Sequence, residues 1–430
     1  MANGFSKEER VALEDMGAKF EDALLMLANT SVFRTDQTMM ARANDTIWRP
    51  MPYIMPSFDG TDQTNNFTDA VQLSVPASIN IHKSSPWMMS ARDLSDALQE
   101  GRLGEASVQR IGSDVNVALL NISCSQGSVF VKRTGAASGF DDVAAIDAVF
   151  NEQGIPQDNR VLALSSRDYN SMASNLAATT RSFGDKISNE AFRRAYVGNV
   201  ASFDTFKLDY GIRKAAAAGG GGLTISTLAA GGNIYVPLAT STSTSGQSSN
   251  VDNRFQRVTV SSTTNVAAGD AFTIANVNAV HHITKGDTGQ LKTFRVISVD
   301  SGTTMTICPP IISNQGGSPA ERQYQNVVVT TPSATAAIVF LNTAAGVMNP
   351  FWQADAIEVL PGRYELPSDG GVAVQRLTVN VPGKNIKGIE LVMSKAVNIN
   401  NYKIQYRLDV LFGVVNKQPQ MSGIIMFSQP

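Results

Sequence analysis

The chain has 430 residues, too many for one hydrophobic core, so two to four folded units are expected. Apolar residues make up 43% and charged residues 17%, which excludes a disordered chain and suggests that much of the surface is covered by something else. The formal net charge of −2 supplies no field to hold a polyanion, which argues against tight, sequence-independent DNA binding.

Cys124 and Cys308 are the only cysteines, far apart in sequence. They make neither a disulfide framework nor a thiolate metal site, and a reducing cytoplasm fits them. The first fifteen residues carry acidic side chains and no long apolar run, so neither a signal peptide nor a membrane span is expected.

In chain order, Lys7 to Ala28 reads as an amphipathic helix with Leu13, Met16, Phe20, Leu24 and Leu27 on one face and Ser6 with Glu9 at its start. Such an arm must lay its stripe on its own subunit or on a partner. Met51 to Ser85 reads as a long β-ribbon, punctuated by Pro52, Pro56 and Pro76, with a turn at Asp59-Gly60 and a return arm of Val71, Leu73 and Val75. A ribbon so long and weakly patterned is expected to reach a neighbour.

Ser90 to Ser125 is the longest helical pattern. Leu94, Leu98, Val108, Ile111, Val115, Leu119 and Ile122 share one face, and Ser90 with Asp93 suggests a capping box. Gly101, Gly104 and Gly112 predict a bend or a broken first third, or else close packing of another segment. Beyond this spine, Asp141 or Asp142 caps a helix ending at Gly154. Arg160 to Leu164 is a short buried strand, Ser165 and Asp168 cap the next helix, and Phe192 to Asp209 reads as helix then strand.

At Ala215 to Gly222 four alanines and four glycines form a joint. From Leu223 to about Ala345 short strands at Thr224–Thr227, Phe255–Val260, Ala271–Ile274, Phe294–Val299, Met305–Ile307 and Val327–Thr330 signal a small all-β barrel or sandwich. Within it, Pro237 to Asn250 is a Ser/Thr-rich loop without one charge, either mobile or a contact arm. Mixed character returns at Asn349-Pro350-Phe351-Trp352. Ile404, Tyr406, Leu408, Val410 and Phe412 then make the cleanest period-two strand, expected to join Gly388–Met393 beside the spine.

No catalytic constellation stands out. Gly219 to Gly222 and Gly383-Lys384-Asn385 lack the ending of a phosphate-binding loop, and no Gly-x-Ser-x-Gly occurs. The histidines His82, His281 and His282 are too few to suggest a triad. His281 and His282, adjacent, would point to opposite faces of a strand, so they read as a strand end and not as metal ligands. Arg193, Arg194 and Tyr196 read as a solvated helix face. No cofactor or metal is implied, and an enzyme is disfavoured.

Three segments carry a resemblance: Asn250-Val251-Asp252-Asn253-Arg254-Phe255, Ser318-Pro319-Ala320-Glu321-Arg322-Gln323-Tyr324 and Phe351-Trp352-Gln353-Ala354-Asp355-Ala356-Ile357. With Asn44-Asp45-Thr46-Ile47-Trp48 they follow the order and spacing of the major capsid (coat) proteins of short-tailed, Salmonella-phage-type bacteriophages (podoviruses), which the chain resembles from about Asn44 to Leu360.

The resemblance implies an α+β, tailed-phage major capsid fold: a long spine helix with a β-sheet, axial and peripheral domains, an extended loop, and an inserted all-β barrel domain. The expected division is 1–44 N-terminal arm, 45–89 extended loop, 90–140 and 381–430 peripheral domain, 141–222 and 346–380 axial domain, and 223–345 inserted barrel. Implied partners are the chain itself in hexamers and pentamers, a scaffolding protein, a portal protein, and double-stranded DNA enclosed without specific binding. The shell, a procapsid assembled in the host cytoplasm, would expand on packaging. Family members carry charges in the long loop of the inserted domain, and here that loop is uncharged. Candidate assembly contacts are Phe58, Asp59, Asp62, Asn65 and Asn66 on the extended loop and Ser241, Thr244 and Ser248 on the uncharged loop. The alternative from another class is a β-rich decoration or adhesin module.

Overall fold

The computed structural model describes residues 7–24, 26–33, 46–52, 55, 57–64, 66–90, 97–179, 198–208, 210–219, 222–229, 232–331, 334–364, 372–382, 387–398, 400–401 and 403–430. By contacts the chain divides into two compact units: Met1–Ile47, Pro76–Leu120 and Ile357–Val415 in one, and Trp48–Val75, Asn121–Ala356 and Asn416–Pro430 in the other.

In the first unit, helix α1 (Lys7–Ala23) buries Leu13, Met16 and Phe20, with Leu24 and Leu27 continuing the stripe. It packs against the strand Ala373–Asn380 of its own subunit. Each fully buried Leu or Phe contributes about 1.5–3 kcal/mol, so this stripe is enough to hold the arm down. Polar contacts fix its register: Glu9 meets Lys395 and accepts from the Tyr406 hydroxyl at 3.0 Å, and Lys19 meets Glu105. The helix ends five residues earlier than its pattern predicts, and Leu27–Asn29 forms a 3₁₀ turn. Ser6, the expected cap, lies outside the described residues.

Helix α2 (Ala97–Gln126) has 30 residues, a length of about 45 Å. Its buried stripe includes Val108, Ile111, Val115 and Leu119. The expected break is not there: the helix runs without interruption through Gly101, Gly104 and Gly112. At Gly104 the close-packing alternative holds, since a Cβ there would lie 1.9 Å from the methyl carbon of Met16 on α1. Ser90 does not cap this helix. It closes the strand Ile81–Ser90, pairing with Lys403, while Asp93 lies outside the described residues.

The sheet of this unit orders its strands as Ser31–Val32, Ile357–Pro361, Lys403–Asn416, Lys387–Asn398 and Ala373–Asn380, with Ile81–Ser90 also on Lys403–Asn416. The expected partnership of Gly388–Met393 with Ile404–Phe412 is present, for example Leu391 opposite Val410. Tyr406, Leu408, Val410 and Phe412 are all buried, as the alternation predicts.

The second unit holds two large sheets. One orders Val129–Lys132, Ser422–Met426, Gly346–Gln353, Arg160–Ser165, Phe203–Leu208 and Asn199–Val200, with Ile212–Lys214 also on Gly346–Gln353. Phe150, Phe203 and Phe351 meet edge-on or tilted at 5.3–6.3 Å in its core. Helix α3 (Phe140–Glu152) starts after Gly139. Of the two candidate aspartates Asp142 does the capping: buried, it accepts from the Gly139 and Ser138 amides and pairs with Arg133 at 2.5 Å. Gly154, at φ +72°, ends that helix. Helix α4 (Ser166–Thr179) is capped as expected, the Asp168 amide donating to Ser165 Oγ at 3.3 Å. The helix expected from Phe192, with Arg193, Arg194 and Tyr196, lies outside the described residues.

The other sheet orders Thr224–Ser226, Thr335–Phe340, Ala271–Val280, Asp287–Val299, Thr304–Cys308 and Gln256–Thr259, with Val327–Val329 on Ala271–Val280. An antiparallel bridge between Ile225 and Val260 joins its first strand to the end of its last, so the sheet nearly closes into a barrel. Its interior is filled by Ile225, Leu228, Val258, Ile274, Val296, Met305, Ile307 and the stacked pair Phe272 and Phe294, 5.7 Å apart. All six strands read from the sequence in this block are present, and Thr335–Phe340 is an addition.

Candidate assembly surfaces

The extended loop differs from the long ribbon its sequence suggests. Only Thr46–Pro50 and Ser74–Ser78 form a two-stranded pair, and no strand is found among the described residues from 51 to 73. On the outgoing arm Pro52 and Pro56 each lack a ladder donor. The return arm also has a core of its own subunit to enter: Leu73 packs with Ile312 and Tyr324. Gln323 Oε1 accepts from the Val71 amide at 3.0 Å, and the Tyr324 hydroxyl accepts from the Leu73 amide at 3.1 Å. Gln323 and Tyr324 sit on the short helix Pro319–Tyr324, which Ser318 and Glu321 cap reciprocally. The segment that carried part of the resemblance therefore anchors the loop's base.

The tip is a different environment. Gly60 turns it at φ +96°, as Asp59-Gly60 suggested. Gln63 donates to the Gly60 and Asp59 carbonyls, and Asn66 donates to Gln63 Oε1 at 2.7 Å. Asp62 accepts from the Thr64 hydroxyl at 2.6 Å and from its amide at 3.1 Å, and these bonds hold its carboxyl below the usual carboxylate range. Phe58 is 41% exposed, and Phe67, not singled out from sequence, is 87% exposed. Asn65 lies outside the described residues. The tip thus combines a self-bonded turn with two aromatic rings in water, a combination that favours contact with another surface.

Pro237 to Asn250 is not a structureless loop. Thr240–Thr242 pairs with Ser248–Asn250 as an antiparallel hairpin, which places Ser241 opposite Ser249 and Thr244 in the turn. Every residue from Thr240 to Asn250 is exposed. No apolar residue alternates here, so no strand signal was available. The hairpin's root is built from the other resemblance segment. Arg254 grips Asp252 through Nε–Oδ1 at 2.9 Å and Nη2–Oδ2 at 2.7 Å and reaches the Asn416 carbonyl at 3.0 Å. Asn253, buried, accepts from the Leu238 amide and donates to the Leu238 carbonyl, closing the root. Asp252 also makes a parallel bridge with Ser74, so the structure brings together the roots of the two outward segments.

The first unit carries a further concave surface, of about 630 Å³, lined in part by Trp87, Met88, Lys395, Tyr406 and Arg407. Trp87 stacks on Tyr406 at 5.6 Å. It was not legible in the sequence because its residues come from separate strands. Among the described residues no group of three or more His, Cys, Asp or Glu is placed to hold a metal ion. His281 and His282 follow the strand Ala271–Val280, as expected. Burial pushes the His282 imidazole down to about 3, which keeps it neutral. No described helix is long and apolar enough to cross a membrane.

The family described as "P22 coat protein - gene protein 5" matches residues 1–428. Among solved structures, one titled "Mycobacterium phage Che8" is 9% identical with a TM-score of 0.43, over 92% of this chain and 88% of that one. "Capsid structure of the Cyanophage P-SCSP1u" is 9% identical with a TM-score of 0.43, over 94% and 87%. "CUS-3 coat protein I-domain" is 41% identical over 29% of this chain and 99% of that one, with a TM-score of 0.22. The match along almost the whole chain sets aside the alternative of a decoration or adhesin module. This chain belongs to the P22 coat protein family: it is a bacteriophage major capsid protein with the tailed-phage capsid fold, a structural component of the virion shell and not an enzyme.

Proposed function

We propose that the chain assembles as hexamers and pentamers into an icosahedral procapsid in the bacterial cytoplasm, with a scaffolding protein and around a portal protein, and that the shell expands as double-stranded DNA is packaged. The observation that carries this reading is the family match over residues 1–428. Physical features of the chain support it. A net charge of −2 avoids strong repulsion among many copies and leaves the packaged polyanion unbound.

On this reading 223–345 is the inserted barrel, 45–89 the extended loop and 1–44 the arm. The remaining segments divide into peripheral (90–140 and 381–430) and axial (141–222 and 346–380) parts. Phe58, Asp59, Asp62, Asn65 and Asn66 on the tip, and Ser241, Thr244 and Ser248 on the hairpin, are assembly contacts. Head-to-tail contacts that close into rings need a segment reaching beyond the subunit, for which the tip serves, and rings joined into a shell need contacts between them, for which the hairpin serves. Electron microscopy of the chain co-expressed with its scaffolding protein tests the proposal. Closed shells of uniform diameter are expected, and compact monomers or trimers alone would refute it.

A further inference from the structure

We infer that the hairpin Thr240–Asn250 pairs edge to edge with the same hairpin of a second copy, through the outer edge of Thr240–Thr242, making a four-stranded antiparallel sheet. The inference rests on reading this segment as an assembly contact and states how the contact is made.

The ladder decides which groups are free. The Val251 amide donates to the Ala239 carbonyl at 3.3 Å, and the Ser243 amide donates to the Gln247 carbonyl at 2.8 Å. Antiparallel ladders alternate, so Ser241 and Ser249 share the inner bonds. The amides and carbonyls of Thr240 and Thr242 therefore turn outward on one edge, and those of Ser248 and Asn250 on the other. Along the second edge the subunit's own chain is already close, because Asp252 bridges Ser74. Among the described residues no strand pairs with the first edge.

A two-stranded ribbon with all residues exposed and no apolar side chain is not held by burial in its own subunit. Free edges are ordinarily blocked by lysine, proline or a bulge, and Thr240–Thr242 has none of these. The lack of charge selects the occupant. A contact about a twofold axis sets each side chain against its own counterpart, so charges would repel, whereas a neutral Ser/Thr edge is compatible with itself. A charged partner of another kind would find nothing here to steer it. Pairing centred on Ser241 sets Thr240 against Thr242 of the second copy and forms about four backbone hydrogen bonds. The two Ser241 residues then face each other as a non-hydrogen-bonded pair, with Cα atoms about 4.5 Å apart.

That spacing suits a disulfide, and the native thiols Cys124 and Cys308 are buried. Full-length Ser241→Cys, assembled and then oxidised, is expected to give covalent dimers, and their absence would overturn the inference. Thr242→Pro removes an outward donor and leaves the inner ladder intact, so a loss of assembled particles of about tenfold or more is expected in sedimentation, with the monomer's circular dichroism unchanged. Ser248→Pro and Ser241→Ala should assemble as the parent does, equally well at about 0.1 and 1 M NaCl. Two results would sink edge pairing while keeping the hairpin a contact: harm from Ser241→Ala, or harm from Ser248→Pro with Thr242→Pro silent. Normal, stable particles after deletion of 240–250 would instead refute the contact reading itself.

Discussion

The carbonyl oxygen of Val129 lies 2.2 Å from the point where a Cβ on Gly423 would stand. Gly423 is paired on one side with Val129 and on the other with Phe351, whose ring lies 2.7 Å from that same point. Both obstacles belong to the middle of a packed sheet, and one of them is backbone. Gly423→Ala is therefore expected to destabilise the subunit by about 3 kcal/mol or more. Urea unfolding of the full chain measures this. Gly135→Ala is the control, because nothing lies within 4 Å of its Cβ position.

Gly423 also shows where sequence reading stops. Helix α2 and the first part of the strand Lys403–Asn416 were legible because one face meets water and the other does not, which writes a period into the residues, although from Leu408 to Gly413 both faces of the strand are buried. Ser422–Met426 and most of Gly346–Gln353 are buried throughout, so no period exists to read. The ribbon was overextended for a related reason. Leu73 and Val75 alternate correctly, but nothing local says that the partners of Leu73 are Ile312 and Tyr324, some 240 residues later. At the candidate contacts, Gly60 announced its turn, whereas Ser241 and Ser248 lie in a hairpin whose strands carry no apolar side chain.

Lys292 predicts an unusual pH dependence. It is 2% exposed, and its ammonium donates to Gln153 Oε1 and Gln420 Oε1, each at 3.0 Å, with no carboxylate beside it. Burial lowers its pKa to about 7, against an ordinary lysine value of 10.5. Between these values the unfolded chain binds more protons than the folded one, so this residue makes stability rise with pH from about 7 upward. Above about 9 the thiols act oppositely, because burial pushes Cys124 and Cys308 up to about 12 in the folded state. Denaturation at pH 7 and 9 should show a rise of the order of 1–2 kcal/mol that Lys292→Met reduces but does not abolish, because burial also lowers Lys285, to about 8, which acts in the same direction. An unchanged slope in the variant would refute this assignment.

Arg254 joins the hairpin's root to the Asn416 carbonyl as well as to Asp252. Asp252 is about one quarter exposed, while Arg254 is nearly buried, so removing either partner leaves a charge that is only partly hydrated. Arg254→Met is expected to cost about 2–3 kcal/mol, and Asp252→Asn about 1–2 kcal/mol, since the asparagine retains one acceptor. The double variant should cost less than the sum, which a double-mutant cycle by urea unfolding checks.

The tip of the extended loop gives the most direct test of assembly. Its base is held by Gln323 and Tyr324 of the same subunit, but between Phe58 and Asn66 the described hydrogen bonds run within the tip itself. Phe58 and Phe67 stand in water, at a cost that a neighbouring subunit would recover at about 25 cal/mol per Å² of apolar surface covered. Deleting Phe58 to Asn66 removes Phe58 and the self-bonded turn that presents Phe67, without touching α2 or the barrel. The subunit should remain soluble, with unchanged helix content and an unchanged urea midpoint, yet fail to form stable shells. Circular dichroism and sedimentation with scaffolding protein present make the comparison. Phe67→Ser alone should weaken particles less than the deletion, because Phe58 remains. If the deleted chain instead forms particles that resist heat and denaturant as the parent's do, the tip is an ornament of one subunit, and the intersubunit role assigned to Phe58, Asp59 and Asp62 is wrong.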